Sequence, residues 1–165
     1  MVYSNFQKHF SEYTLRDLLK ATSTDRRDEF VQEAKSKIET RTKWSNDDAE
    51  FLVFLEDSDD LEKYILNHRV QIQQGIFYSA ADVAEYLVQN EKYLAAVILY
   101  RGLVTETLKK SIAKYYHHAV NYLEIMDQIS PKIELWKGIE DHTTYVQSLK
   151  KKHALKKSLW SKYKI

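Results

Sequence analysis

Apolar residues fall three and four positions apart along most of this chain. Phe51, Leu52 and Leu55 form one stripe, and Leu61, Tyr64 and Ile65 another. Val83, Tyr86 and Leu87 follow, then Leu94, Val97 and Ile98. That spacing lines one face of a 3.6-residue helix. It predicts helices near residues 5–20, 24–42, 46–56, 59–68, 79–89, 91–111, 114–129 and 141–162, with connections at 69–78 and 131–140. Start signals agree with the pattern. Ser45 with Asp48, and Ser79 with Asp82, read as capping boxes. Ser58 precedes the acids Asp59 and Asp60, which suit the positive end of a helix. Ser130 before Pro131 reads as an N-cap followed by proline at the first helical position.

Composition narrows the fold class. The chain has 165 residues but only three glycines and one proline, beside 3 Trp, 12 Tyr and 6 Phe. Tight turns between strands draw on Gly and Pro, so this scarcity favours long helices over a sheet. A weak repeat sits mid-chain. Tyr93, Ala96, Tyr100 and Leu103 are echoed by Tyr116, Ala119, Leu123 and Met126. A small alanine lets a neighbouring helix approach while a ring fills the space beside it. The expected fold is all-α, an irregular helix-hairpin stack of about eight helices resembling tetratricopeptide packing, with a plain helix bundle as the alternative. Residues 1–43 are charged, with sparse apolar anchors such as Phe6, Phe10, Phe30 and Ile38. They read as an N-terminal helical arm, a lid or dimerising element, ahead of a helical-repeat-like domain over 44–165, the two expected to form one folded unit overall without a firm boundary.

Charge is uneven. Residues 1–70 carry 15 acidic and 11 basic side chains, whereas residues 137–165 carry 2 acidic and 8 basic ones. The basic end reads first as a solvated helix face and second as a nucleic-acid contact. The chain contains no cysteine, which excludes disulfides, thiolate chemistry and cysteine zinc sites. Asn5, Gln7, Lys8 and His9 occupy the region where a signal peptide needs apolar residues, and the apolar run from Tyr93 to Tyr100 is too short for a bilayer. The expected location is the cytoplasm, with no membrane partner.

Candidate chemistry gathers toward the C-terminus. On a single helix over 141–162, His142, Tyr145, Leu149, His153, Lys156 and Trp160 would share one stripe. His142 and His153 would then lie about 16 Å apart, too far to share a metal ion. A zinc site would need His117 or His118 together with Asp141. The plainer reading is structural imidazoles. Arg101 falls inside the apolar run of the 91–111 helix. It reads either as an internal partner of Glu85 or Glu106, or as an anchor for a partner's carboxylate or phosphate. Gly102 beside it implies that another chain segment approaches closely. Lys156, Lys157 and Trp160 belong to a basic tail, but Lys150, Lys151 and Lys152 spread over three directions of a helix. The chain has no H-E-x-x-H, phosphate loop or G-x-S-x-G.

The C-terminal third carries a more specific pattern. It runs Tyr116, His118, Ala119, Tyr122, Leu123, then Glu140-Asp141-His142, Tyr145, Leu149, His153, Lys156, Lys157, Ser158 and Trp160. With Ala95-Ala96, Leu99, Tyr100, Arg101 and Leu108 upstream, this resembles an uncharacterised, mainly bacterial domain-of-unknown-function family. Leu155 and Lys156 stand where that pattern has glycine and arginine. A looser likeness extends to the helical region of SWIM zinc finger proteins. The resemblance covers roughly residues 50–165 and implies a helical, repeat-like domain with no assigned activity. Members are often longer, so the chain is expected to be a short form or a chain carrying mainly the terminal domain.

The combined reading is a non-catalytic interaction or scaffold protein that binds a protein partner or itself and needs no cofactor. Its candidate binding residues are Arg101, His118, His142, His153, Lys156, Lys157 and Trp160. The alternatives are a nucleic-acid module using the basic C-terminal helix and, third, a metal-dependent enzyme built on histidines.

Overall fold

The computed structural model describes residues 24–163. The helix expected over 5–20 and most of the break at 22–25 lie outside them. Every regular element among the described residues is helical. Eight α-helices run α1 (Thr24–Glu39), α2 (Asn46–Phe54), α3 (Ser58–Ile72), α4 (Ala80–Gln89), α5 (Tyr93–Lys109), α6 (Tyr116–Ile129), α7 (His142–Lys152) and α8 (Lys157–Trp160). Single 3₁₀ turns precede and follow α6 at Ala113–Tyr115 and Ser130–Lys132. The chain divides into two compact units, residues 1–68 and 69–165, and the boundary falls inside α3. The described part of the expected arm belongs to the first unit.

In the first unit, Phe30, Ala34 and Ile38 of α1, Phe51 and Leu52 of α2, and Leu61 and Ile65 of α3 are buried. Ion pairs rim this core. Lys35 meets Asp57 and, at 3.0 Å, Asp60. In the second unit, α5 packs against α4 and α6. Thirteen of its seventeen residues are buried. A helix apolar all round is a core helix, and α5 is the axis of this unit. The C-terminal segment folds back on α6, burying Leu159 and Tyr163.

The scarcity of glycine has a structural counterpart. Helices commonly end with a left-handed residue, usually glycine. Here Glu56, Glu91 and Ser111 take that role at φ of 55°, 60° and 54°. After α4, the Glu91 amide donates to Val88 O at 3.1 Å and the Lys92 amide to Leu87 O at 2.8 Å. After α2, the Glu56 amide donates to Val53 O and the Asp57 amide to Leu52 O. Both pairs are the bonding of a Schellman cap. Gly102 answers a different need: a Cβ there would lie 2.6 Å from the Ile72 carbonyl oxygen.

Several start signals act differently from their sequence reading. Ser45 and Ser79 precede α2 and α4 without a side-chain cap. The Ser45 amide donates to Tyr64 Oη, while Asp48 turns inward to an ion pair, so the reciprocal bonds of a capping box do not form. Asp59 and Asp60 do occupy the first turn of α3, and Asp57 caps it by accepting from the Asp60 amide at 3.0 Å. Ser130 and Pro131 begin a 3₁₀ turn that no α-helix continues. Residues 69–72, expected in a connection, extend α3. The single helix expected over 141–162 is two: α7 stops at Lys152, His153 leaves helical geometry at φ −118° and ψ 30°, and α8 restarts at Lys157.

Candidate functional site

Arg101 lies in the middle of α5 with 1% of its surface exposed. Its guanidinium makes one hydrogen bond, Nη2 donating to the Glu140 carbonyl at 3.0 Å. Nε and Nη1 find no partner. The charge rests instead on ring faces, 4.3 Å from the Tyr145 centroid and 5.4 Å from that of Trp136. Aromatic faces attract a cation through their quadrupole. The arrangement joins α5 to the 133–141 connection and to α7. Neither expected carboxylate pairs with it. Glu106 lies 3.7 Å from Lys110, and Glu85 accepts from Gln89. Five residues along a helix place Glu106 about 140° around from Arg101, on another face. Burial pulls the Arg101 pKa down, against the fields of Tyr145, Glu140 and Asp141.

α7 is held in place by its cap. Asp141 Oδ1 accepts from the Thr144 amide and Oδ2 from its hydroxyl, both at 2.9 Å. The cap keeps the Asp141 carboxyl below its ordinary range. Asp141 therefore serves as an N-cap, a role different from the zinc ligand considered above. With α7 fixed, Tyr145 lies against Arg101 and its buried hydroxyl finds no partner. Burial pushes its pKa well up.

A cleft of about 240 Å³ opens beside this pair, lined by Arg101, Tyr145, Ser148, Lys152, His153 and Gln73, among others. It brings together two of the seven predicted residues, Arg101 and His153. Burial and the charges of Lys156 and Lys152 lower the His153 pKa. The other five go elsewhere. His142 Nε2 bonds Asp127 Oδ1 at 2.8 Å, and Tyr163 Oη donates to both Asp127 oxygens at 2.9 and 3.0 Å. Burial lowers the His142 pKa despite Asp127. His118 packs between Tyr78 and Tyr115, with ring centroids 5.7 and 6.4 Å away. Lys156 donates to Ser111 Oγ at 3.0 Å and Tyr116 Oη at 2.9 Å. Trp160 Nε1 donates to the His153 carbonyl at 2.9 Å, and Lys157 is exposed. The break at His153 removes Lys156 and Trp160 from the stripe that a continuous helix would have formed. Among the described residues, no group of three or more His, Asp or Glu is placed to hold a metal ion.

Sequence reasoning underused Tyr145, Ser148 and Lys152. A signal for Tyr145 was available: it lies three residues after His142 on the face that α7 buries. Trp136 and the Glu140 carbonyl reach Arg101 from an irregular connection, where no periodicity points to them.

The first unit holds a larger cleft, about 510 Å³, lined by Lys35, Arg41, Asp60, Tyr64 and His68 among others. Several of its polar groups are engaged with one another, while Glu39 and Asn67, which also line it, are exposed. Arg41 Nη1 pairs with Asp48 at 2.7 Å, Tyr64 Oη donates to Asp48 at 3.1 Å, and Lys63 meets Asp60 at 3.0 Å. The His68 ring nitrogens lie 2.8 Å from Tyr64 O and 3.2 Å from Arg41 O. The smaller cleft differs in holding a buried cation without an ion pair among the described residues.

Fold and site together define an all-helical protein whose core helix brings an unmatched cation to a cleft. The chain belongs to DUF6880, a family of unknown function whose match covers residues 1–162. No curated protein and no solved structure matches it. Nothing in these comparisons bears on the looser likeness to SWIM-type proteins. No helix among the described residues is long and apolar enough to cross a membrane.

Proposed function

We propose that this protein is a non-catalytic interaction module that holds a protein partner or a second copy of itself, with the cleft between α5 and α7 as its grip. One observation carries the reading: a fully buried arginine lines the cleft with two nitrogens unspent and, among the described residues, no ion pair to a carboxylate. A buried charge without a counter-charge is costly, and a ligand that brings one repays that cost on binding. The succession α4, α5, α6, each packed on the next, supports a tetratricopeptide-like stack with a binding face. The dispersal of His118, His142 and His153 over three places supports a binding role over histidine catalysis. Lack of cysteine fits the cytoplasm as its place of work.

The test is purification of the full chain from its own cells, with light scattering for oligomeric state and identification of bound proteins. A stoichiometric partner or a dimer, weakened by Lys152→Glu at the cleft, is expected. A monomer that retains no protein at low salt overturns the proposal.

A further inference from the structure

The chemistry of the cleft specifies what it grips. We infer that the α5–α7 cleft receives a single carboxylate presented by a polypeptide, an inference that rests on the binding-module reading above. Three features point there. First, guanidinium has five N–H donors in a planar fork matched to carboxylate geometry, and Arg101 uses one nitrogen on Glu140 O while Nε and Nη1 have no partner. Second, the charged side chains lining the cleft are Arg101, Lys152 and Glu140, with His153 the one further titratable imidazole. With that imidazole neutral, their sum is one positive charge. One carboxylate balances it, whereas a phosphate dianion leaves an excess negative charge beside Glu140. Third, the walls are mixed: the Tyr145 ring and Leu149 offer apolar surface to a short aliphatic stem, while Ser148 and Gln73 supply polar groups at the rim. An acidic side chain has that stem and head, and so does the last residue of a polypeptide.

The Arg101 Nε–H reports on the site directly, because it is buried and unbonded. Its NMR resonance in the full chain, assigned by its loss in Arg101→Lys, is followed against four probes. These are an amidated tripeptide with central glutamate, its glutamine counterpart, a neutral tripeptide with a free C-terminal carboxylate, and inorganic phosphate. A saturable downfield shift with either carboxylate peptide and none with the glutamine peptide is expected, and the peptide that shifts it identifies the source. Lys152→Glu, an exposed change that leaves the fold intact, weakens that binding by about tenfold. No shift with either carboxylate peptide, an equal shift with the glutamine peptide, or a shift with phosphate alone overturns the inference. A partner that binds Lys152→Glu as tightly as the native chain overturns the inference and the cleft as the grip, and leaves intact the broader reading of an interaction module. Peptide binding in a chain that retains no protein overturns that reading while the carboxylate site survives.

Discussion

Among the described residues, each unit buries one formally charged side chain, and the two are treated in opposite ways. Asp48 in the first unit is 0% exposed and fully engaged, bonded to Arg41 and to the Tyr64 hydroxyl. Burial pushes its carboxyl up, and Arg41 and Tyr64 draw it back. Arg101 in the second unit is equally buried but has a carbonyl and two rings for company. A buried charge with its partners is a finished piece of structure. A buried charge without a counter-ion is an unfinished one that a ligand can complete. In the larger cleft, by contrast, Lys35, Arg41, Asp60 and Lys63 are already paired.

The sharpest way to break the contrast is to exchange the two side chains for apolar ones. Asp48→Ala leaves Arg41 and Tyr64 without their acceptor and should cost the first unit about 3 kcal/mol. Urea unfolding followed by Trp44, whose ring lies 5.4 Å from Tyr64, reads that unit. Arg101→Met should leave the second unit's stability nearly unchanged while abolishing carboxylate binding, because methionine fills the volume without a charge to desolvate. A loss of stability there as large as that of Asp48→Ala would show Arg101 to be as structural as Asp48.

Gly102→Ala tests the packing that buries Arg101. The added methyl meets the Ile72 carbonyl oxygen at 2.6 Å, and the strain outweighs a helix-propensity gain of about 1 kcal/mol. A net loss of about 2 kcal/mol is expected in unfolding followed by Trp136 fluorescence. Replacing left-handed Glu91 or Glu56 with glycine should stabilise the corresponding unit by up to about 1 kcal/mol. An unchanged melting temperature in both variants would refute the cap assignment.

The second unit also carries a pH signature. His142 has its folded pKa lowered, chiefly by burial, from an ordinary value of 6.5. Above 6.5 both folded and unfolded forms are neutral and the stability contribution is complete. As pH falls below 6.5 the unfolded chain binds the proton first, so stability drops until the folded pKa is passed. His142→Gln keeps a donor for Asp127 and should flatten that slope in melting curves between pH 7 and 5. A slope unchanged by the substitution would place the titrating group elsewhere.

Much of the architecture was legible because helical periodicity is local. Stripes such as Leu94, Val97 and Ile98 placed α5 within a residue or two, and Gly102 marked a close approach that Ile72 supplies. Arg101 stands out in the sequence as a cation in an apolar run. Its surroundings were not legible. Trp136 and the Glu140 carbonyl come from a connection without periodicity, and Tyr145 reaches it from α7, a separate helix that Asp141 caps. The break at His153 was missed because nothing in Lys151-Lys152-His153-Ala154 breaks a helix by propensity. The turn there carries the bond from Trp160 Nε1 to the His153 carbonyl, and the returning segment buries Leu159 and Tyr163.

The sequence alone determined that the chain is helical, where most helices lie and which residue types could carry chemistry, since those follow from spacing and composition. Tertiary structure alone decided which charges were neutralised. Asp48 looked like a cap and became a closed ion pair; Arg101 looked like half of an internal pair and stayed without a carboxylate. Ion pairing depends on which side chains distant segments bring within a few ångströms, and no local pattern encodes that distance.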